Sequence, residues 1–195
     1  MNIDFLSVYG FSYAIKGMRK SFNSEEKSDT NFLVDDNLNP DIGEKDLSLL
    51  LKLVKSGDAH AKCMRFVIAY LEINAPRYWW QQFDTYKIGV EQLSQSTMHT
   101  MMEMPLEISD FEIDKHDEEM KDLIKILNFY IRHKMFKKVK IFLPESFLQT
   151  RMICCNYQSL RHIYLQRKNH RLEEWHYFCD WIDNNMPHSE FITEE

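Results

Sequence analysis

Glycine and proline are scarce in this sequence, five of each in 195 residues, and no segment repeats at a fixed period. Collagen-like and low-complexity scaffolds are thereby excluded. No uncharged apolar run approaches eighteen residues, so no membrane-spanning helix is expected. Met1-Asn2-Ile3-Asp4-Phe5 carries an acid where a secretory leader would be basic, so a soluble, cytoplasmic location is expected. Positive charge is not in excess either. The net charge is −6, which gives no general field for a long nucleic acid or a membrane surface, and neither is expected as a partner. Cys63, Cys154, Cys155 and Cys179 form no CxxC or Cys/His pattern and read as reduced core thiols. The eight histidines scatter from 60 to 188 without ligand spacing, so no metal is expected. Glycine-rich nucleotide fingerprints, a P-loop, a nucleophile elbow and HExxH are all absent.

What the chain does have is apolar and aromatic content, 44% and 13%, enough for a proper core. One domain over residues 1–186 is expected, with a loose tail over 187–195. Phe5 to Tyr9 reads as a strand or loop leading into a short helix, and 23–40 as a long polar loop. Leu47, Leu50, Leu51 and Val54 have the i, i+3, i+4, i+7 spacing of an amphipathic helix over 44–56, with Gly57 placed to end it. A second short helix can start at Asp58. Residues 66–73 read as a buried strand, and Pro76 as the first residue of an aromatic helix through Phe83. No clean period survives from 84 to 104, a segment that reads as a site loop. Helical spacing resumes over 117–137, with Asp114 as candidate N-cap, and two further helices are expected near 157–168 and 172–184.

Several side chains carry chemistry under one reading and structure under another. Tyr78-Trp79-Trp80 suits stacking on a planar ring or packing in a core. Arg132-His133-Lys134 with Lys137, Lys138 and Lys140 could attract a phosphate, or, for all but Lys140 in its apolar segment, complement a helix dipole. Arg161, Arg167 and Arg171 could grip a carboxylate, phosphate or uracil-like carbonyl through their fork of donors, or lie solvated on a helix. Ser94, Ser96 and His99 lack an oriented base with a third group behind it, so serine hydrolysis receives no support.

The order of segments nevertheless resembles a known family. His60, an apolar strand and Pro76-Arg77-Tyr78-Trp79-Trp80-Gln81-Gln82-Phe83-Asp84-Thr85-Tyr86-Lys87 are followed by Lys140-Ile141-Phe142-Leu143-Pro144 and Thr150-Arg151. Asn156-Tyr157-Gln158-Ser159-Leu160 and Leu165-Gln166-Arg167 come next. This series, over roughly residues 58 to 182, resembles the flavin-dependent thymidylate synthases. The resemblance implies an α+β fold, a mixed β-sheet with a helical layer, assembled as a homotetramer. It implies FAD as cofactor, methylenetetrahydrofolate and NADPH as co-substrates, and reductive methylation of a dUMP-like pyrimidine deoxynucleotide. It assigns substrate contact to Gln82, Ser96, Lys140 and Arg167, of which Ser96 and Arg167 would orient the reacting ring. It assigns cofactor contact to Asn156 and His162, with His60, Tyr86 and Lys87 nearby. The departures point the other way. Thr85-Tyr86-Lys87 stands where the family has Arg-His-Arg, Met98 and Gln158 replace two further arginines, and Glu173-Glu174 add negative charge. A non-catalytic nucleotide-binding, sequestering or regulatory protein on the same fold is the alternative.

Overall fold

The computed structural model describes residues 1–31, 41–97, 101–114 and 116–194, so Met98, His99 and half of the polar loop lie outside it. The expected α+β class holds. Four strands, β1 (Asn2–Tyr9), β2 (Ile68–Pro76), β3 (Val90–Ser94) and β4 (Leu148–Asn156), form one sheet in the order β1-β2-β4-β3. Helices α1 (Phe11–Ser21), α2 (Glu44–Lys55), α3 (Arg77–Phe83), α4 (Glu118–Arg132), α5 (Phe136–Phe142), α6 (Tyr157–Arg167), α7 (Glu173–Asn185) and α8 (Glu190–Thr193) accompany it. By its internal contacts the chain divides into two compact units, with boundaries inside each of the four strands and after α3. One holds residues 1–2, 73–85 and 93–152; the other holds 3–72, 86–92 and 153–194.

In the larger unit, α1 buries Phe11, Ala14, Ile15 and Met18, one stripe at helical spacing. Its entry is tight. Gly10 sits at φ 101°, and a Cβ there would lie 2.0 Å from the carbonyl oxygen of Phe66, so only glycine fits. Helix α2 buries Leu50, Leu53 and Val54 together with one carboxylate, Asp46. Asp46 accepts from Arg19 Nε at 2.5 Å, Ser28 Oγ and Thr30 Oγ1 at 2.6 Å, and the Asp29 and Thr30 amides at 3.1 Å. This hydrogen-bonded carboxylate is what holds 28–30 against α1 and α2.

Helix α6 has no single apolar stripe because it is buried on most sides, polar residues included. Each buried polar group finds a partner: Arg65 Nε donates to Gln158 Oε1, Ser159 Oγ to the Ile88 carbonyl, and Arg161 to the carbonyls of Ile192 and Glu194. The last contacts correct the expected loose tail. Residues 190–193 form α8, and Phe191 and Ile192 are fully buried. Cys63, Cys155 and Cys179 are buried free thiols and Cys154 is half-buried; burial pushes Cys179 up to about 12.

In the smaller unit, Trp79, Trp80 and Phe83 of α3 are buried and pack on one another, Trp79 and Phe83 stacked at 5.1 Å between centroids. The core reading of this aromatic run is the correct one for both tryptophans. A second cluster gathers Leu106, Phe111, Ile124, Leu127, Ile131, Val139 and Leu143. The expected helix over 117–137 stops at Arg132, because Lys134 turns left-handed at φ 54°, and α5 begins after it. Its cap is Asp117, not Asp114: the Asp117 side chain accepts from the Met120 amide at 2.9 Å. Among the described residues no helix is long and apolar enough to cross a membrane, and no group of three or more metal-ligating side chains occurs.

Candidate functional site

The strand-to-helix corner at the start of α6 gathers several polar groups of the larger unit. Asn156 caps α6, its side-chain oxygen accepting from the Ser159 amide at 2.9 Å and from Ser159 Oγ at 3.0 Å. Its own amide donates to the Gly89 carbonyl at 3.1 Å. Gly89 is at φ 67°, and a Cβ would stand 2.1 Å from Asn156 Nδ2 and 2.7 Å from Ser159 Oγ. The close approach therefore requires glycine. Gly89→Ala is expected to lower stability by about 1–3 kcal/mol and to displace Asn156, checked by thermal unfolding and by loss of protection of the α6 amides in hydrogen exchange.

At the other end of α6 stands Arg167. Its Nε donates to Tyr86 Oη at 2.7 Å, and Tyr86 Oη donates in turn to Gln166 Oε1 at 3.0 Å. The guanidinium lies over the Trp175 ring at 4.8 Å and over the Tyr86 ring at 5.5 Å. Trp175 is fully buried, so this cation sits between two aromatic faces in partly dehydrated surroundings, where such contacts are worth about 0.5–2 kcal/mol. His170 faces Trp175 at 6.2 Å; burial, and then the neighbouring Arg167 charge, hold its imidazole below the ordinary histidine range. Two residues that the resemblance assigns to different ligands, Tyr86 and Arg167, are thus one cluster. Lys87 is exposed beside it in sequence.

His162, on the exposed face of α6, pairs with Asp58. Burial pushes the Asp58 carboxyl up, but hydrogen bonds from His162 and Gln158 outweigh it and leave it below the usual carboxylate range. His60 lies two residues on and lines a cavity of about 400 Å³. Its floor is apolar (Met18, Leu53, Cys63), its flanks are the exposed rings of Phe22 and Phe66, and Ser21, His60 and Lys62 supply polar groups.

The remaining assigned residues fall in the smaller unit. Lys140 Nζ donates to Thr97 Oγ1 at 2.6 Å, which brings the lysine to the residue next to Ser96. Burial, and then the Arg77 charge, hold this ammonium below the ordinary lysine range. Ser96 is exposed, in a segment tied down by Gln95, whose amide donates to the Thr150 carbonyl and whose carbonyl accepts from Gln149 Nε2, both at 2.9 Å. Gln82 is half-buried near the end of α3, and its carbonyl accepts from Thr85 Oγ1 at 2.7 Å. One residue of note carried no sequence signal beyond its place in a Thr-Arg pair. Arg151 donates to Asp84 Oδ1 at 2.7 Å and to Gln149 Oε1 at 3.0 Å, and lies over the Trp80 ring at 4.3 Å. Its partner is 67 residues away, a pairing no local pattern reveals.

No family model matches the sequence, and no curated protein does. Solved structures do. A flavin-dependent thymidylate synthase, ThyX, from Helicobacter pylori, complexed with FAD and dUMP, superposes with a TM-score of 0.78 at 18% identity, covering 100% of this chain and 98% of that one. The fold is that of the flavin-dependent thymidylate synthases. A second structure of Helicobacter pylori ThyX with FAD and dUMP gives 0.78 at 17% identity over the same shares of the two chains. A UMP/dUMP methylase, PolB, from Streptomyces cacaoi, bound with 5-Br dUMP, gives 0.65 at 12% identity, covering 93% of this chain and 88% of that one. Within the flavin-dependent thymidylate synthase fold, this chain carries Thr85-Tyr86-Lys87 after α3, and the second of these residues is the phenol that engages Arg167.

Proposed function

We infer that this chain binds FAD and a pyrimidine deoxynucleotide of the dUMP class and catalyses its reductive methylation. The observation that carries this reading is the fold likeness along the whole chain to proteins solved with FAD and dUMP. The cavity beside His60 has room for part of a flavin nucleotide: its apolar and aromatic lining suits a planar ring, and His60, Lys62 and Ser21 offer donors for phosphate oxygens. His60, Asn156 and His162 would hold the cofactor, with Tyr86 and Lys87 beside it. When bound, FAD supplies hydride. Gln82, Ser96, Lys140 and Arg167 would bind the nucleotide, Arg167 polarising a pyrimidine carbonyl through a charge-assisted hydrogen bond while Tyr86 and Trp175 fix its plane. As a compact cation, Lys140 would serve as a phosphate contact. Methylenetetrahydrofolate would supply the carbon, NADPH the electrons, and a homotetramer the working assembly.

A second reading, nucleotide binding without turnover, is favoured by one contact: the Nε of Arg167 is engaged by the protein's own Tyr86. The two separate in one series of measurements. Freshly purified full-length protein is expected to take up FAD, retain a flavin spectrum after excess is removed, and run at the mass of four chains. Protein that stays colourless with FAD, with or without dUMP, overturns the flavin reading. Flavin uptake with no dUMP-dependent turnover in the presence of methylenetetrahydrofolate and NADPH leaves the binding protein.

A further inference from the structure

The whole-chain charge hides a local reversal in the smaller unit. Between Asp122 and Glu145 there are six cations (Lys125, Arg132, Lys134, Lys137, Lys138, Lys140) and no acid, in a chain of net charge −6. The same stretch carries large apolar side chains on its surface: Ile141 is 63% exposed, Phe142 51% and Phe129 50%, with Ile126 and Met135 also open. Several of these groups are neighbours in space. Phe129 touches Tyr130 at 5.9 Å and His133 at 4.3 Å, Tyr130 stacks on Phe142 at 5.9 Å, and Lys138 lies over the Tyr130 ring at 5.2 Å. Ile126 is three residues before Phe129 on α4 and so extends the same side of the helix.

We propose that the end of α4 together with α5 is a docking surface for an anionic lipid bilayer. Basic side chains around an exposed apolar strip are what an interfacial membrane contact requires: the cations meet headgroup phosphates, and the apolar groups enter the acyl boundary. Lys140, tied to Thr97, is left to the site already described, and Arg132, Lys134, Lys137 and Lys138 supply the attraction. A single-stranded nucleic acid fits the same charges less well. Tyr130 and Phe142 are stacked on each other at 28° and Phe129 lies against His133, so these rings are already engaged with one another, while Ile126, Met135 and Ile141 offer a base no partner. The inference does not rest on the flavin chemistry.

The test is co-sedimentation of the full chain with vesicles of phosphatidylcholine alone and with vesicles in which roughly a third of the lipid is phosphatidylserine. Binding to the anionic vesicles is expected to be at least tenfold stronger and to disperse as salt rises from about 0.1 to about 0.5 M. The pair Lys137→Glu and Lys138→Glu is expected to weaken it by about tenfold or more. Ile141→Ser is expected to weaken it while leaving the salt dependence in place, and it removes no contact of the folded chain's aromatic cluster. Equal affinity for both vesicles, or none for either, overturns the proposal. So does binding of a single-stranded oligonucleotide without binding of vesicles, or a dimer that Ile141→Ser dissolves in protein that ignores lipid.

Discussion

Asp46→Ala is expected to destabilise the folded chain by about 3–5 kcal/mol, lowering the melting temperature by roughly 10 °C or more. The reason is the burial of both partners. Asp46 is inaccessible to solvent, Arg19 is 6% exposed, and the alanine variant leaves the guanidinium buried without its counter-charge. It also strips the acceptor from Ser28, Thr30 and two amides at once. Asp46→Asn keeps the shape but loses the charge, and is expected to fall between wild type and the alanine variant. The pH dependence has a definite sign. Burial pushes the Asp46 carboxyl up, while hydrogen bonds from Ser28, Thr30 and Arg19 outweigh it, so its folded pKa lies below the ordinary 3.8. A depressed folded pKa gives stability that is complete above the unfolded value and is lost as pH falls through the folded one. Acid unfolding of the wild type below about pH 4 should therefore show a component that the Asn variant lacks. Coincident acid profiles for wild type and Asn variant would remove Asp46 from this role.

Arg167→Ala is expected to weaken binding of dUMP by about 10- to 150-fold, the value of a charge-assisted hydrogen bond lost from a partly dehydrated site. The change also empties the space between Tyr86 and Trp175, so flavin uptake and melting temperature must be followed with it. Arg167→Lys is the informative companion. Lysine keeps the charge and loses the planar fork, so it should recover stability more than affinity. Titration calorimetry with dUMP on flavin-loaded protein decides the matter: a dUMP affinity unchanged in both variants would place Arg167 in the fold alone. Tyr86→Phe tests the contact on which the second reading rests. Removing the hydroxyl frees Nε of Arg167 for a ligand, and tighter dUMP binding in this variant is expected if Tyr86 competes with the nucleotide.

Much of the fold is legible in the amino-acid sequence because burial imposes a period. Helices α2, α6 and α7 lie within about two residues of their sequence expectation, since each presents apolar groups at helical spacing or begins at a recognisable cap. Strand β3 is not legible. Its five residues mix buried Val90 with exposed Glu91 and Leu93, too short for an alternation to register at the end of the sheet. The break between α4 and α5 is hidden for another reason: a lysine at positive φ carries no mark in the sequence where a glycine would.

The site divides in the same way. Order along the chain is enough to single out Arg167 and Asn156 as candidates and to give the fold class, because segment order and caps are local properties. Residue order alone therefore settles the α+β class, the main helices, and the residue types available for a nucleotide. Packing was needed to show that Tyr86 and Trp175 hold Arg167, that Asp84 holds Arg151, that Asp46 is a core carboxylate and that Phe191 and Ile192 are buried. Each of these joins segments distant along the chain, and such a contact is fixed by the free energy of the whole fold, with no local signal at either partner.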